Sequence, residues 1–106
     1  MPTKVLLVDD EEQFVEVLAN RLETRGFLVH TASSGDEAIN FMEKQDVDVV
    51  ILDVVMPGRD GIETLREIKR LRPLVEVIML TGHGTVDTAI DGMKLGAYDY
   101  LIKPTD

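Results

Sequence analysis

Apolar residues in this chain follow two alternating rhythms. Short apolar runs occupy Lys4–Val8, Phe27–Ala32, Val47–Asp53, Val75–Leu80 and Tyr98–Ile102. Runs of that length suit buried strands and are too short for helices. Between them, apolar residues recur at helical steps: Phe14, Val17, Leu18 and Leu22, then Ala38, Ile39, Phe41 and Met42, then Ile62, Leu65, Ile68 and Leu71, and finally Val86, Ala89, Ile90 and Met93. Each set gives a helix one apolar face. The punctuation agrees. Asp10 with Gln13, Ser34 with Glu37 and Asp60 with Glu63 have capping-box spacing, and Thr85 is a further cap candidate. Gly26 and Gly96 supply stops, and a helix must end before Pro73. "VVMPGRDG" and "TGHGT" read as loops.

Strands and helices that alternate with short connections imply a parallel sheet with helices on both faces, a three-layer α/β/α sandwich. With right-handed crossovers, five strands commonly adopt the flavodoxin-like order 2-1-3-4-5, with "VDVVILD" at the centre. The connections leave strands one and three in opposite directions, so a ligand crevice is expected between their carboxyl ends. Asp9 and Asp10 end strand one and Asp53 ends strand three, so this topology gathers three carboxylates there. Thr81 follows strand four and Lys103 ends strand five, at the same edge of the sheet.

Composition narrows the chemistry. A chain of 106 residues holds one domain, and its net charge of −9 is the wrong sign for a nucleic-acid binder. Without cysteine there is no disulfide, thiolate nucleophile or Cys-ligated zinc, and two histidines, His30 and His83, make no convincing metal site. No stretch approaches the ~20 apolar residues of a membrane span, and no signal peptide is evident, so a cytoplasmic location is expected.

Clustered acids repel one another, by about 1 kcal/mol for a pair ~4 Å apart in water and more where water is excluded. A divalent cation relieves that cost, and hard oxygen donors select magnesium, calcium or manganese. A carboxylate beside such an ion can also act as a nucleophile and form an acyl phosphate. Phosphoryl transfer then asks mainly for positioning and charge stabilisation, which a hydroxyl and an ammonium can supply. Taken singly, Thr81 is more often a turn residue, Lys103 a solvated strand end and Asp53 the start of a turn. Their coincidence at four strand ends of one sheet is what favours chemistry.

The stretches "VLLVDDEE", "DVVILDVVMPGRDGIE", "IMLTGHG" and "GAYDYLIKP", in this order, resemble the receiver domain of two-component response regulators along the whole chain. "LTGHGTVDTAIDGMKLGAYDYLIKP" is most similar to receivers of sigma-54-dependent transcription activators. The resemblance implies a phosphoacceptor at Asp53 and Mg2+ (or Mn2+) held by Asp10, Asp53 and the Val55 backbone carbonyl, with Asp9 acting through water. It also implies Thr81 as the switch hydroxyl, Lys103 as the phosphoryl-binding lysine before a cis Pro104, and Tyr100 as the switch aromatic. Gly82 would leave room for the phosphoryl group. Apolar Val55 would lengthen the phosphorylated state, an effect His83 would partly offset.

The same resemblance implies a sensor histidine kinase as phosphoryl donor and an output domain that regulates transcription. The domain would promote its own phosphorylation and dephosphorylation without being a turnover enzyme. Family members carry a fifth helix after the Lys-Pro pair, so residues 1–106 are expected to be a single receiver domain cut short before it. Half of one sheet face would then lack cover. A homodimer through that face, or through the fourth helix and fifth strand, is expected, with no direct nucleic-acid or membrane partner. Three rivals are weaker. A flavodoxin-like cofactor binder would not meet a phosphate with "DDEEQ", and a haloacid-dehalogenase-type phosphatase would need a spaced D-x-D pair. A degenerate receiver serving only as an interaction module would not need the intact set Asp9, Asp10, Asp53, Thr81 and Lys103.

Overall fold

The computed structural model describes residues 2–55, 61–82 and 86–103, the last from its backbone alone at position 86. The elements run β1 (Lys4–Val8), α1 (Glu12–Thr24), β2 (Leu28–Ala32), α2 (Gly35–Lys44), β3 (Val49–Asp53), α3 (Gly61–Leu71), β4 (Glu76–Thr81), α4 (Val86–Lys94) and β5 (Asp99–Ile102). All strands pair in parallel, in the order β2-β1-β3-β4-β5. This is the architecture the alternating pattern predicts.

Successive strand side chains point to opposite faces, and the two cores follow from that alternation. Leu6, Val8, Val50, Leu52, Val77 and Met79 pack with Ala38, Met42, Leu65, Ile68 and Ala89 of α2, α3 and α4. Val5, Leu7, Ile51 and Leu80 face the other way, against Phe14, Val15, Leu18 and Leu22 of α1. Leu6, Leu7 and Leu52 are fully buried, each contributing roughly 1.5–3 kcal/mol of transfer free energy. On the α1 side, among the described residues, one helix covers the sheet. Val17 and Leu101 remain 53% exposed and Ile102 46%. They line a groove of about 490 Å³ with Phe14, Leu18 and Leu80.

Several boundaries differ from the pattern. The Asp10 carboxylate is not the cap of α1: the cap position belongs to Glu11, without a side-chain bond. Asp9 Oδ1 instead accepts the Glu11 N–H at 2.9 Å, which ties the turn to the strand end. Ser34 does cap α2, accepting the Glu37 N–H at 3.1 Å. The return half of that box is shifted, because Glu37 Oε2 takes the Ser33 N–H and hydroxyl. Phe27 lies before β2, since its N–H turns back to the Leu22 carbonyl around Gly26, whose φ is 93°. The run of β3 starts at Val49, with Val47 buried ahead of it. β4 runs through Thr81, one residue later than expected. Tyr98 lies outside β5 and is 66% exposed, whereas Tyr100 packs against the α2–α4 core. The cap candidates Asp60 and Thr85 lie outside the described residues. No helix among the described residues is long and apolar enough to cross a membrane.

Candidate functional site

Strand register assembles the site. Val8 pairs with Leu52, so the next residues, Asp9 and Asp53, stand side by side at the carboxyl ends of β1 and β3. Asp53 pairs with Leu80, which sets Thr81 one step beyond it, and Thr81 pairs with Ile102, which sets Lys103 beyond that. A backbone bond from the Lys103 N–H to the Thr81 carbonyl at 2.6 Å fixes the last step.

Asp9, Asp10 and Asp53 each offer a carboxylate oxygen, all within 4.8 Å of one another. Asp9 and Asp53 are buried, and Asp10 is exposed at the rim. The Lys103 ammonium lies 2.9 Å from Asp9 Oδ2 and 3.5 Å from Asp53 Oδ2. It also pairs with Glu11 Oε1 and sits 4.7 Å above the centre of the Phe14 ring. Asp53 Oδ1 accepts the Val55 N–H at 3.0 Å, so one oxygen is held by the backbone while the other faces Lys103. Thr81 is fully buried, and its hydroxyl finds no hydrogen-bond partner among the described residues. A buried hydroxyl left without a partner costs about 1–3 kcal/mol, and functional sites are where such costs are retained.

Among the described residues the charges are unbalanced: Asp9, Glu11 and Asp53 pair with one ammonium, and Asp10 lies beside them. Burial raises the Asp53 pKa to about 6 from 3.8, and the neighbouring Asp9 charge adds to the rise. The Val55 N–H and Lys103 oppose it without cancelling it. For Lys103, burial pulls the pKa down, but the bonds to Glu11 and Asp9 and the charges of Asp53 and Asp9 override this and raise it. The ammonium is therefore a fixed positive charge.

The glycines near the site differ in kind. A Cβ on Gly61 would sit 2.5 Å from the Val54 Cα and carbonyl oxygen, so the backbone after Asp53 passes α3 too closely for any side chain. A Cβ on Gly82 would meet no described atom within 4 Å. His83 and Pro104, including the expected cis bond, lie outside the described residues.

The response regulator receiver domain model matches residues 5–106. The chain belongs to that family. Among its relatives are a protein named an NtrX-like response regulator from Rickettsia felis, 41% identical over 94% of this chain and 22% of its own length, and ycf27 of Guillardia theta, named a probable transcriptional regulator, 46% identical over 95% of this chain and 39% of its own length. This receiver thus spans about a fifth to two fifths of those curated relatives. The crystal structure of a response regulator receiver domain protein from Clostridium thermocellum superposes with a TM-score of 0.91 at 43% identity, covering 98% of this chain and 84% of that one. The chain is a response regulator receiver of two-component signalling, and the NtrX-like relative accords with the similarity to activator receivers. All five expected acid, hydroxyl and amine positions meet at one sheet edge. Sequence reasoning missed that Glu11 and Phe14 join them. Glu11 directly follows Asp9 and Asp10 in the sequence, but nothing local distinguishes Phe14 from an ordinary core residue of α1.

Proposed function

We propose that this receiver accepts a phosphoryl group on Asp53 from the phosphohistidine of a sensor kinase, in a reaction that requires Mg2+. The convergence of Asp53 with Asp9, Asp10 and Lys103 carries the reading. The donor set suits such a cation: clustered hard carboxylate oxygens, one with a pKa raised by burial and charge. Asp10, Asp53 and the Val55 carbonyl would hold it, with Asp9 acting through water, and Mn2+ would serve in its place. When bound, it neutralises the acids and the phosphoryl oxygens.

The chain's own residues do the remainder. An Asp53 oxygen attacks phosphorus, forming a P–O bond as the P–N bond to the donor imidazole breaks, and the imidazole nitrogen takes up a proton. Lys103 stabilises charge on the transferred group. The unpartnered Thr81 hydroxyl turns to a phosphoryl oxygen, Gly82 leaves that approach open, and Tyr100 follows in rotamer to alter the α4–β5 face for an output domain. That output regulates transcription. The apolar Val55 side chain, 58% exposed beside the site, cannot orient an attacking water, which favours a long-lived acyl phosphate; the imidazole of His83 would partly offset this.

The apolar groove between α1 and β5 is best explained as the seat of a fifth helix in a longer protein. The 106-residue domain on its own uses that groove, or the α4–β5 face, to form a homodimer. A degenerate receiver would leave Asp53 unmodified. Titrating beryllofluoride, which stands in for the phosphoryl group, with Mg2+ into wild type and Asp53→Asn decides between them by NMR. Wild-type shifts at Thr81 and Lys103 that vanish in the variant support phosphoacceptance. Unchanged spectra in both support an interaction module.

A further inference from the structure

Lys103 is held by more groups than phosphoryl binding requires. An ammonium has three donors and no acceptor. Here Glu11 and Asp53 accept hydrogen bonds from it, Asp9 Oδ2 is an ion-pair partner at 2.9 Å, and the Phe14 ring lies against the same nitrogen. A phosphoryl oxygen on Asp53 must therefore compete with these carboxylates for Lys103. The Asp9 side chain is wholly buried and held beside Asp53 by the strand register. Asp53 carries the incoming group. The Glu11 side chain is 64% exposed and can be solvated on release.

We propose that Glu11 is a competing anchor for Lys103, released when Asp53 is phosphorylated, and that Phe14 is the positioning residue that keeps the freed ammonium over the site. The inference rests on the phosphoacceptor reading above. Glu11 thus lowers the affinity of the resting site for a phosphoryl group, and Phe14 raises it. Neither touches the reacting atoms; both act through Lys103. Glu12, the next acid along, lines a groove with Asp9, Glu16, Asn20 and Thr31 but has no contact with Lys103 among the described residues, which makes it the control for a general charge effect near the site.

The test measures beryllofluoride affinity by NMR at saturating Mg2+, with Mg2+ affinity measured separately, for wild type, Glu11→Gln, Glu12→Gln, Phe14→Leu and Phe14→Tyr. Losing a charge-assisted partner should tighten beryllofluoride binding about three- to tenfold in Glu11→Gln. Glu12→Gln should stay within about twofold of wild type, as for an exposed charge without a partner. Phe14→Leu should weaken binding about two- to fivefold, and Phe14→Tyr should restore it. In the metal-free protein, the Lys103 ε-methylene protons should show an aromatic ring-current shift that Phe14→Leu abolishes and Phe14→Tyr keeps. Equal gains in Glu11→Gln and Glu12→Gln, or no gain in Glu11→Gln, overturn the anchor. Loss of affinity in Phe14→Tyr as large as in Phe14→Leu overturns the positioning role. A wild type that binds no beryllofluoride, as Asp53→Asn should, overturns the phosphoacceptor reading itself.

Discussion

Replacing Asp53 with asparagine should stabilise the metal-free protein although it removes the residue on which the proposed chemistry depends. The carboxyl titrates near 3.8 when unperturbed and near 6 in the fold. That rise already contains the attraction of Lys103 and the Val55 hydrogen bond, so neither is subtracted again. Between these two values the folded protein binds more protons than the unfolded chain, so stability falls as pH rises through the window. Below about pH 4 both states are protonated and the burden disappears; above about pH 6 it is fully present. At about 1.4 kcal/mol per pKa unit, a rise from 3.8 to about 6 corresponds to roughly 3 kcal/mol. Asparagine keeps an oxygen for the Val55 N–H and carries no charge. In chelator, Asp53→Asn should therefore unfold roughly 10 °C higher than wild type at pH 7.5, at about 4 °C per kcal/mol. The difference should vanish towards pH 4. Lys103 does not shape this window, because a lysine with a raised pKa contributes its stability throughout acidic and neutral pH and loses it only in alkali. Circular dichroism is the suitable probe, since the chain has no tryptophan. A variant less stable than wild type at pH 7.5, or an offset independent of pH, would show that the buried Asp53 charge does not burden the fold.

Other expectations follow from particular contacts. Gly61→Ala should cost about 2–3 kcal/mol or more in urea unfolding, because the new methyl would overlap the Val54 backbone, which has no side-chain freedom with which to yield. Gly82→Ala, whose new methyl would meet no described atom within 4 Å, should stay within about 0.5 kcal/mol of wild type. Val55→Asn should shorten the acyl-phosphate half-life several-fold by giving the site a group that orients water, whereas a wild-type label lost within seconds would contradict the role given to Val55. The 106-residue domain should self-associate through its exposed Val17, Leu101 and Ile102, or through the α4–β5 face. Sedimentation at rising concentration checks this, and a strict monomer with ordinary cooperative unfolding argues against it.

The sequence carried the architecture because its apolar periods, 2 and 3.6, are local properties, and because alternating elements leave few strand orders. The five polar positions of the site were legible for the same reason: each is the residue at, or just past, the end of an apolar run. What escaped was tertiary. Asp10 has capping-box spacing, yet the turn uses Asp9 instead, because Asp9 is anchored by the sheet beside Asp53. Tyr98 and Tyr100 belong to one apolar run, but β5 begins at Asp99 and Tyr98 keeps only a backbone bond to the Val77 carbonyl while its side chain stays exposed. Gly61 looked like a loop breaker, and its close approach to Val54 becomes visible only when α3 is docked. Phe14 has the spacing of any α1 core residue, and its contact with Lys103 spans nearly the whole chain. Periodicity reports which face a residue occupies. It does not report what lies opposite.

The most direct measurement is intact-protein and peptide mass spectrometry after incubation with acetyl phosphate, with and without Mg2+. Wild type should gain a single phosphoryl group, dependent on Mg2+, labile to hydroxylamine and mapped to the peptide containing Asp53, and Asp53→Asn should gain none. A label that forms equally well in chelator, or that maps to another residue, would contradict Mg2+-dependent phosphoacceptance at Asp53.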